Sequence, residues 1–140
     1  AADLASIRAV VNLDMVGYFN DRPGSQLFPP LLSALHPDRG DFVSLASNLG
    51  SLGLLRSVSG QWRKASGLPV EPVFLPAMLS ALFLGDHLNF WHAGERAVFV
   101  TDTAYFRFPW YHQAEDTPEK LDYERLAELT RAVTAVLSAE

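Results

Sequence analysis

The segment VVNLDMVG, at Val10 to Gly17, constrains the fold more than any other stretch of the chain. Val, Ile and Leu fall on both alternating faces of Ile7 to Val16, which predicts a strand covered on both sides near the middle of a sheet. Covering both faces requires helices in two layers, so the pattern favours an α/β domain. One carboxylate, Asp14, interrupts the apolar run near its C-terminal end.

The rest of the chain alternates strand-like and helix-like patterns. Strands are predicted at Asp41 to Ser47, Leu68 to Leu75 and Ala97 to Thr101, and helices at Leu31 to Leu35, Leu55 to Ala65, Leu88 to Ala93 and after Asp122. Pro69 and Pro72 lack the N–H that a strand ladder needs, so the strand containing them is expected at a sheet edge. Pro76 to Leu84 fits a loop, a helical turn or a pocket wall equally well.

Composition narrows the classes of function. The 140 residues carry a net charge of -5 with no run of Lys or Arg, so neither a nucleic-acid partner nor an anionic membrane surface is indicated. With no cysteine, the chain has no disulfide, no thiolate nucleophile and no Cys-type zinc site. No apolar run reaches the roughly 18 residues that span a bilayer. The composition is that of a soluble globular protein, and a secreted or periplasmic location is left open.

A second segment, Val100 to Tyr123, holds the chemistry-bearing side chains. The apolar run ends in a polar loop that contains a proline, and His112 lies there among four aromatic residues. Asp at a strand end and His in a loop are positions from which α/β hydrolases build metal sites. On spacing alone, a structural Asp14 and a structural His112 are favoured over metal ligands.

Four motifs in order resemble the family-28 zinc exopeptidases, which include bacterial co-catalytic aminopeptidases and, more distantly, glutaminyl cyclases. The matching motifs are Asn12-Leu13-Asp14-Met15-Val16-Gly17, Gly85-Asp86-His87 with Phe90 and Gly94, Thr101-Asp102-Thr103-Ala104, and Tyr111-His112 with Asp116-Thr117. The resemblance implies an α/β fold with a mixed, mostly parallel sheet flanked by helices, of the zinc aminopeptidase-like, phosphorylase/hydrolase-like type. It also implies that residues 1–140 are the C-terminal part of a single zinc-peptidase-like domain.

The resemblance implies roles for four side chains. Asp14 and His112 would each bind a different one of two zinc ions that share a bridging carboxylate. Tyr111 corresponds to a phenol that stabilises an oxyanion in some members, although a packing aromatic fits the sequence equally well. Asp86 would orient the substrate or face its amine, and its alternative role is a helix N-cap.

The remaining polar residues are interpreted as structural. Asp102 follows a strand end and Asp116 can close a turn onto backbone amides. His36, His87 and His92 lack the spacing of helical metal ligands. Gly85 stands where the family usually has serine, which removes one side-chain hydrogen bond beside the substrate pocket.

The resemblance implies a metallo-aminopeptidase that hydrolyses N-terminal peptide bonds with metal-activated water. The family's His-x-Asp segment, bridging Asp and Glu-Glu pair have no counterpart in this chain, so by itself it is expected to be inactive and to bind zinc weakly or not at all. The alternatives are a non-catalytic module that retains the fold and a glutaminyl cyclase-like acyltransferase. The expected partners are the N-terminus of a peptide substrate and, through the strand Ile7 to Val16, either the missing N-terminal half or a second copy.

Overall fold

A computed structural model describes residues 7–28, 33–75 and 84–139. The described strands are β1 (Val10–Leu13), β2 (Val43–Ser47), β3 (Val70–Phe74) and β4 (Ala97–Thr101). The described α-helices are α1 (Leu52–Ala65), α2 (His87–His92) and α3 (Tyr123–Ala139). The first two residues of the helix predicted at Leu31 to Leu35 lie outside the described residues, as does all of the ambiguous stretch Pro76 to Leu84 except Leu84.

The four strands form one sheet in the order β1-β4-β2-β3. The pairs β1/β4 and β2/β3 are parallel, whereas β2/β4 is antiparallel. The expected α/β fold with a mixed, mostly parallel sheet is therefore confirmed. Pro72 lies in β3, at one end of the sheet order, which confirms the edge position predicted from its missing N–H.

Helices cover the two faces of the sheet unequally. The larger apolar cluster joins β2 and β4 to α1 and α3, with Trp62 and Val136 among its fully buried members. The smaller cluster lies on the opposite face, where Ala46, Val73 and Phe99 pack beside Trp91 of α2. Alternate residues of β4 belong to opposite clusters, as strand geometry requires.

Side-chain caps lie at the start of α3 and at the start of the short turn that leads into α1. A short 3₁₀ turn at Leu49–Ser51 precedes α1, and the Asn48 side chain accepts a hydrogen bond from the Ser51 N–H at 3.0 Å. Asp122 caps α3 by accepting from the Arg125 N–H at 3.0 Å, as its sequence position predicts. No α-helix among the described residues is long and apolar enough to cross a membrane.

The first strand differs from its prediction. β1 has four residues instead of the ten of Ile7 to Val16, and its side chains are half-buried or exposed instead of being covered on both faces. It pairs with β4 on one side, and no other described strand pairs with its second edge. Met15, with φ of 52°, turns the chain out of the strand immediately after Asp14.

Candidate functional site

The carboxyl ends of β1 and β4 lie side by side because the two strands are parallel and Leu13 is in register with Val100. Asp14 is the first residue after β1, and Asp102 is the first residue after β4. The Asp14 N–H still donates to the Val100 carbonyl at 3.2 Å, so its position is fixed by the ladder. This edge of the sheet carries most of the predicted chemistry.

Asp102 is buried, with 1% of its surface exposed, and organises both loops at this edge. Its carboxylate accepts hydrogen bonds from the N–H groups of Gly17 at 3.1 Å, Tyr18 at 2.9 Å and Ala104 at 3.1 Å. Burial raises the pKa of this carboxyl above its ordinary value, against the opposing effect of these N–H donors and of Arg107. The structural role predicted for Asp102 agrees with these contacts.

The Arg107 side chain connects the same loops to other parts of the domain. Its guanidinium donates to the Gln26 side chain at 2.7 Å and to the Phe42 carbonyl at 2.7 Å. It also lies 4.6 Å from the centroid of the Phe42 ring. Burial lowers the pKa of Arg107 to about 10 despite nearby Asp102 and Asp41, a value that leaves the side chain charged at neutral pH.

His112 projects from the loop that follows β4. It is exposed, has φ of 57°, and its ring stacks on Tyr111 with centroids 4.0 Å apart. The loop packs against the segment after β1, as the distance of 4.9 Å between the rings of Tyr18 and Phe108 shows. The segments that carry Asp14 and His112 are thus in contact, while the separation of the two side-chain tips stays a prediction.

Backbone strain is concentrated in these two loops. Among the described residues, the non-glycine positions with positive φ are Met15, Thr103, Ala104 and His112. Such conformations cost on the order of 1 kcal/mol each and persist where surrounding contacts hold them. The Asp102 carboxylate supplies such contacts, because the N–H groups that it binds belong to both loops.

Asp86 lies near β1, on the face of the sheet that carries the smaller apolar cluster. It occupies the N-cap position of α2, yet its side chain makes no capping hydrogen bond and is exposed. Beside it, Gly85 is held close to β1: a Cβ there would lie 2.9 Å from His87 Nδ1 and 3.0 Å from Asn12 Nδ2. The serine usual in the family would therefore require His87 or Asn12 to move.

His87 is a buried residue whose importance the sequence did not reveal. Its ring stacks on Phe99 with centroids 4.1 Å apart and meets Trp91 edge-on, and Nδ1 lies 3.4 Å from the Asn12 side chain. Burial lowers the pKa of His87 to about 4, although Asp86 acts in the opposite direction. Within residues 7–28, 33–75 and 84–139, its Nε2 has no hydrogen-bond partner. Its distance of 75 residues from Asn12 in sequence leaves no local pattern that could indicate the contact.

The donor atoms of Asp14 and His112 are compatible with zinc, which takes carboxylate oxygen and imidazole nitrogen. Both side chains are exposed, and neither makes a hydrogen bond within the described part of the chain. No group of three His, Asp or Glu side chains suitable for a metal ion occurs among residues 7–28, 33–75 and 84–139. A metal bound here would therefore need further ligands from outside those residues.

Similarity to known proteins identifies the family to which the chain belongs. The sequence model of Peptidase family M28 matches residues 1–137. The chain belongs to peptidase family M28. It is also 33% identical over 132 residues to the uncharacterized protein YfbL of Escherichia coli strain K12, a match that covers 94% of this chain and 41% of YfbL. The chain therefore spans about two fifths of the length of that curated relative.

Two solved structures from Legionella pneumophila share the fold. The crystal structure of LapB superimposes with a TM-score of 0.67 at 18% identity, covering 94% of this chain and 31% of LapB. The LapA aminopeptidase gives a TM-score of 0.65 at 17% identity, covering 93% of this chain and 30% of LapA. At this identity the similarity establishes the α/β fold.

Proposed function

We propose that this chain is the C-terminal part of a zinc-dependent, aminopeptidase-like M28 domain, whose intact form hydrolyses N-terminal peptide bonds. Family membership supports a peptidase, and the aminopeptidase name of one structural neighbour supports the exopeptidase type. The observation that carries the proposal is the packing of the segments after β1 and β4, seen in the 4.9 Å contact between Tyr18 and Phe108. That packing supports a shared position for Asp14 and His112 at one edge of the sheet.

Each exposed side chain has a separate role in this proposal. Asp14 offers carboxylate oxygens to one zinc ion and His112 offers an imidazole nitrogen to the other. Bound zinc would supply a water molecule activated for attack near neutral pH. The stack between Tyr111 and His112 restricts the orientation of the imidazole and leaves the phenol oxygen available to an oxyanion. The Asp86 carboxylate, free of capping, orients the substrate or its amine.

Substitution of the two ligands tests the proposal in the longer protein that contains this chain. We expect Asp14→Asn and His112→Asn each to lower kcat/KM for an aminoacyl chromogenic substrate by at least about 1000-fold, with less bound zinc by elemental analysis. Asp116→Asn is the matched control, since Asp116 is exposed and lies four residues from His112. Full activity in both ligand variants would overturn the assignment. An intact protein that neither binds zinc nor cleaves the substrate would identify a non-catalytic module.

The geometry of the two ligands provides an independent test. Ligands of neighbouring zinc ions should have their tips within about 8 Å, given metal–ligand bonds of ~2 Å and an intermetal separation of ~3.5–4 Å. A zinc-loaded crystal structure of the longer protein would measure the distance from the Asp14 carboxylate to the His112 ring. A clearly larger separation would remove the site even if the protein proved to be a peptidase.

The 140-residue chain by itself should behave differently. Two ligands do not hold a catalytic zinc, which normally has at least three from the protein, so we expect no peptidase activity and weak zinc binding. The measurement is release of a chromogenic amine by the purified chain, with and without a chelator. Release that the chelator abolishes would show that the missing groups lie within these 140 residues.

The open edge of β1 is proposed as the contact with the N-terminal half of the domain or with a second copy. Val10 and Asp14 donate their N–H groups to the strand on the β4 side. Because N–H directions alternate along a strand, those of Val11 and Leu13 point to the second edge. We expect the isolated chain to self-associate in light scattering. A monodisperse monomer in which these two amides exchange as slowly as Asn12 would show that another segment covers the edge.

A further inference from the structure

A groove between α1 and β3 lies far from the candidate active site. Its volume is about 310 Å³, and its lining residues are Leu52, Leu55, Arg56, Ser59, Gly60, Arg63 and Pro72. β3 and β1 stand at opposite ends of the strand order, so the groove and the Asp14 edge are separated by the width of the sheet. Any ligand of this groove would therefore occupy a second site.

Two arginines give the groove a positive charge in a chain whose net charge is -5. Arg56 and Arg63 are seven residues apart, which places them on one side of α1 and about 10 Å apart along the helix axis. Neither forms an ion pair within the part of the chain that the structure describes. Two exposed guanidinium groups without acidic partners are free to bind an anion from solution.

Ser59 adds a polar group between the two arginines. It is 3% exposed, yet its hydroxyl has no hydrogen-bond partner among the residues that the structure describes. Buried hydroxyls are normally paired, because an unmade hydrogen bond leaves the cost of removing the group from water uncompensated. Rotation of the Ser59 side chain towards the groove would present this donor to an oxygen acceptor there.

Gly60 completes the floor of the groove. Glycine in a helix interior destabilises the helix relative to alanine, so its presence usually has a packing reason. Here a Cβ at position 60 would meet no atom within 4 Å, and packing inside the domain therefore does not require the glycine. The missing side chain instead leaves open space in a groove whose lining also includes Ser59, Arg56 and Arg63.

We propose that this groove binds a small carboxylate with a short apolar body. The carboxylate would accept hydrogen bonds from the Ser59 hydroxyl and from Arg56 or Arg63. The apolar body would contact Leu52, Leu55 and Pro72, which supply the non-polar wall. A ligand of six to eight non-hydrogen atoms in an open groove is expected to bind with a Kd on the order of 1 mM.

Titration of the longer protein, labelled with ¹⁵N on glycine, tests the site directly. The probe is 3-methylbutanoate, and its neutral isostere 3-methylbutanamide and inorganic phosphate are the comparison ligands. We expect the Gly60 N–H signal to shift with 3-methylbutanoate. We expect 3-methylbutanamide to need an at least about tenfold higher concentration for the same shift. Equal binding of the amide would overturn the anion site, and equal binding of phosphate would overturn the apolar body. No shift at about 20 mM probe would remove the site altogether.

Charge variants distinguish a built site from general attraction. We expect Arg56→Gln and Arg63→Gln each to raise the Kd about threefold or more, and the double variant about tenfold. Arg39→Gln is the matched control, because Arg39 is exposed, carries the same charge and does not line the groove. A control that weakens binding as much as the groove variants would show that net charge alone attracts the probe.

Gly60→Ala separates binding from stability. The added methyl group should raise the Tm by about 3 °C through helix propensity, while it occupies the groove and raises the Kd about fivefold or more. Gly53→Ala, seven residues earlier in the same helix and outside the lining of the groove, is the control for propensity. Unchanged binding in Gly60→Ala would contradict the proposal, because a ligand in contact with the floor would meet the new methyl group.

Discussion

Two neighbouring strands are each followed directly by an aspartate, and the two aspartates have opposite environments. Asp14 follows β1 and Asp102 follows β4, and the two strands are parallel partners. Asp14 is exposed and its carboxylate makes no hydrogen bond within the described residues, whereas Asp102 is 1% exposed and accepts three backbone N–H groups. One strand end presents a free carboxylate, and the other uses its carboxylate to hold the surrounding loops.

Stability and candidate chemistry are thus divided between the residues that follow two neighbouring strands. Asp102 and Arg107 hold the backbone that is strained at Met15, Thr103 and Ala104. Because buried groups hold the strained backbone, the side chains of Asp14 and His112 make no hydrogen bonds within the described residues. They stay available to a metal ion or substrate, which is the arrangement that a preorganised site requires.

Removal of each carboxylate measures the contrast most directly. We expect Asp102→Ala to lower the free energy of unfolding by about 3 kcal/mol, because it leaves three N–H groups unpaired in buried loops. Asp14→Ala should change it by less than about 0.5 kcal/mol, since the side chain is exposed. Urea unfolding of both variants gives the comparison, and effects of similar size would show that the two strand ends are equivalent.

The histidines of α2 extend the comparison to pH. His87 is buried and burial lowers its pKa to about 4, so the unfolded chain, with the ordinary value near 6.5, binds a proton more readily. The contribution of His87 to the free energy of unfolding is therefore fully present above pH 6.5. We expect about 2 to 3 kcal/mol of it to be lost as the pH decreases towards 4.

We expect His87→Phe to remove most of this pH dependence between pH 7 and 4.5 in urea unfolding. His92→Asn is the control on the same helix, because His92 is exposed. An unchanged pH profile in His87→Phe would mean that other groups cause the loss of stability at low pH.

Gly85 tests how closely the β1 side of the site is packed. A Cβ at this position would meet His87 and Asn12 at about 3 Å, so we expect Gly85→Ala to destabilise the protein by about 1 to 2 kcal/mol. Gly94→Ala is a less suitable control because Gly94 has φ of 83°, whereas the open position Gly53 isolates helix propensity. Thermal unfolding that Gly85→Ala leaves unchanged would show that His87 and Asn12 can move apart at no cost.

Tyr111 should give the smallest stability effect and the clearest separation of roles. Tyr111→Phe keeps the ring that stacks on His112, so the free energy of unfolding should change by less than about 0.5 kcal/mol. In the longer protein, loss of a phenol that stabilises an oxyanion should lower kcat by about 100-fold. Unchanged kcat would assign Tyr111 to packing alone.

Several elements could be predicted because their signals are local. The Asp122 cap and the edge position of β3 follow from side-chain chemistry within a few residues. The α/β class follows in the same way from alternating strand and helix patterns. The resemblance to zinc exopeptidases also rests on short motifs, and the family match over residues 1–137 agrees with it.

The length and burial of β1 could not be predicted, because apolar composition records where a residue can be buried and does not record which strands are its neighbours. Only the tertiary structure brought Arg107 to Gln26, 81 residues away in sequence, and His87 to Asn12, 75 residues away. It also decided which of two strand-end aspartates is buried. These outcomes depend on long-range contacts that determine solvent exposure and backbone φ, and exposure in turn determines whether a carboxylate binds its own backbone or remains free for a ligand.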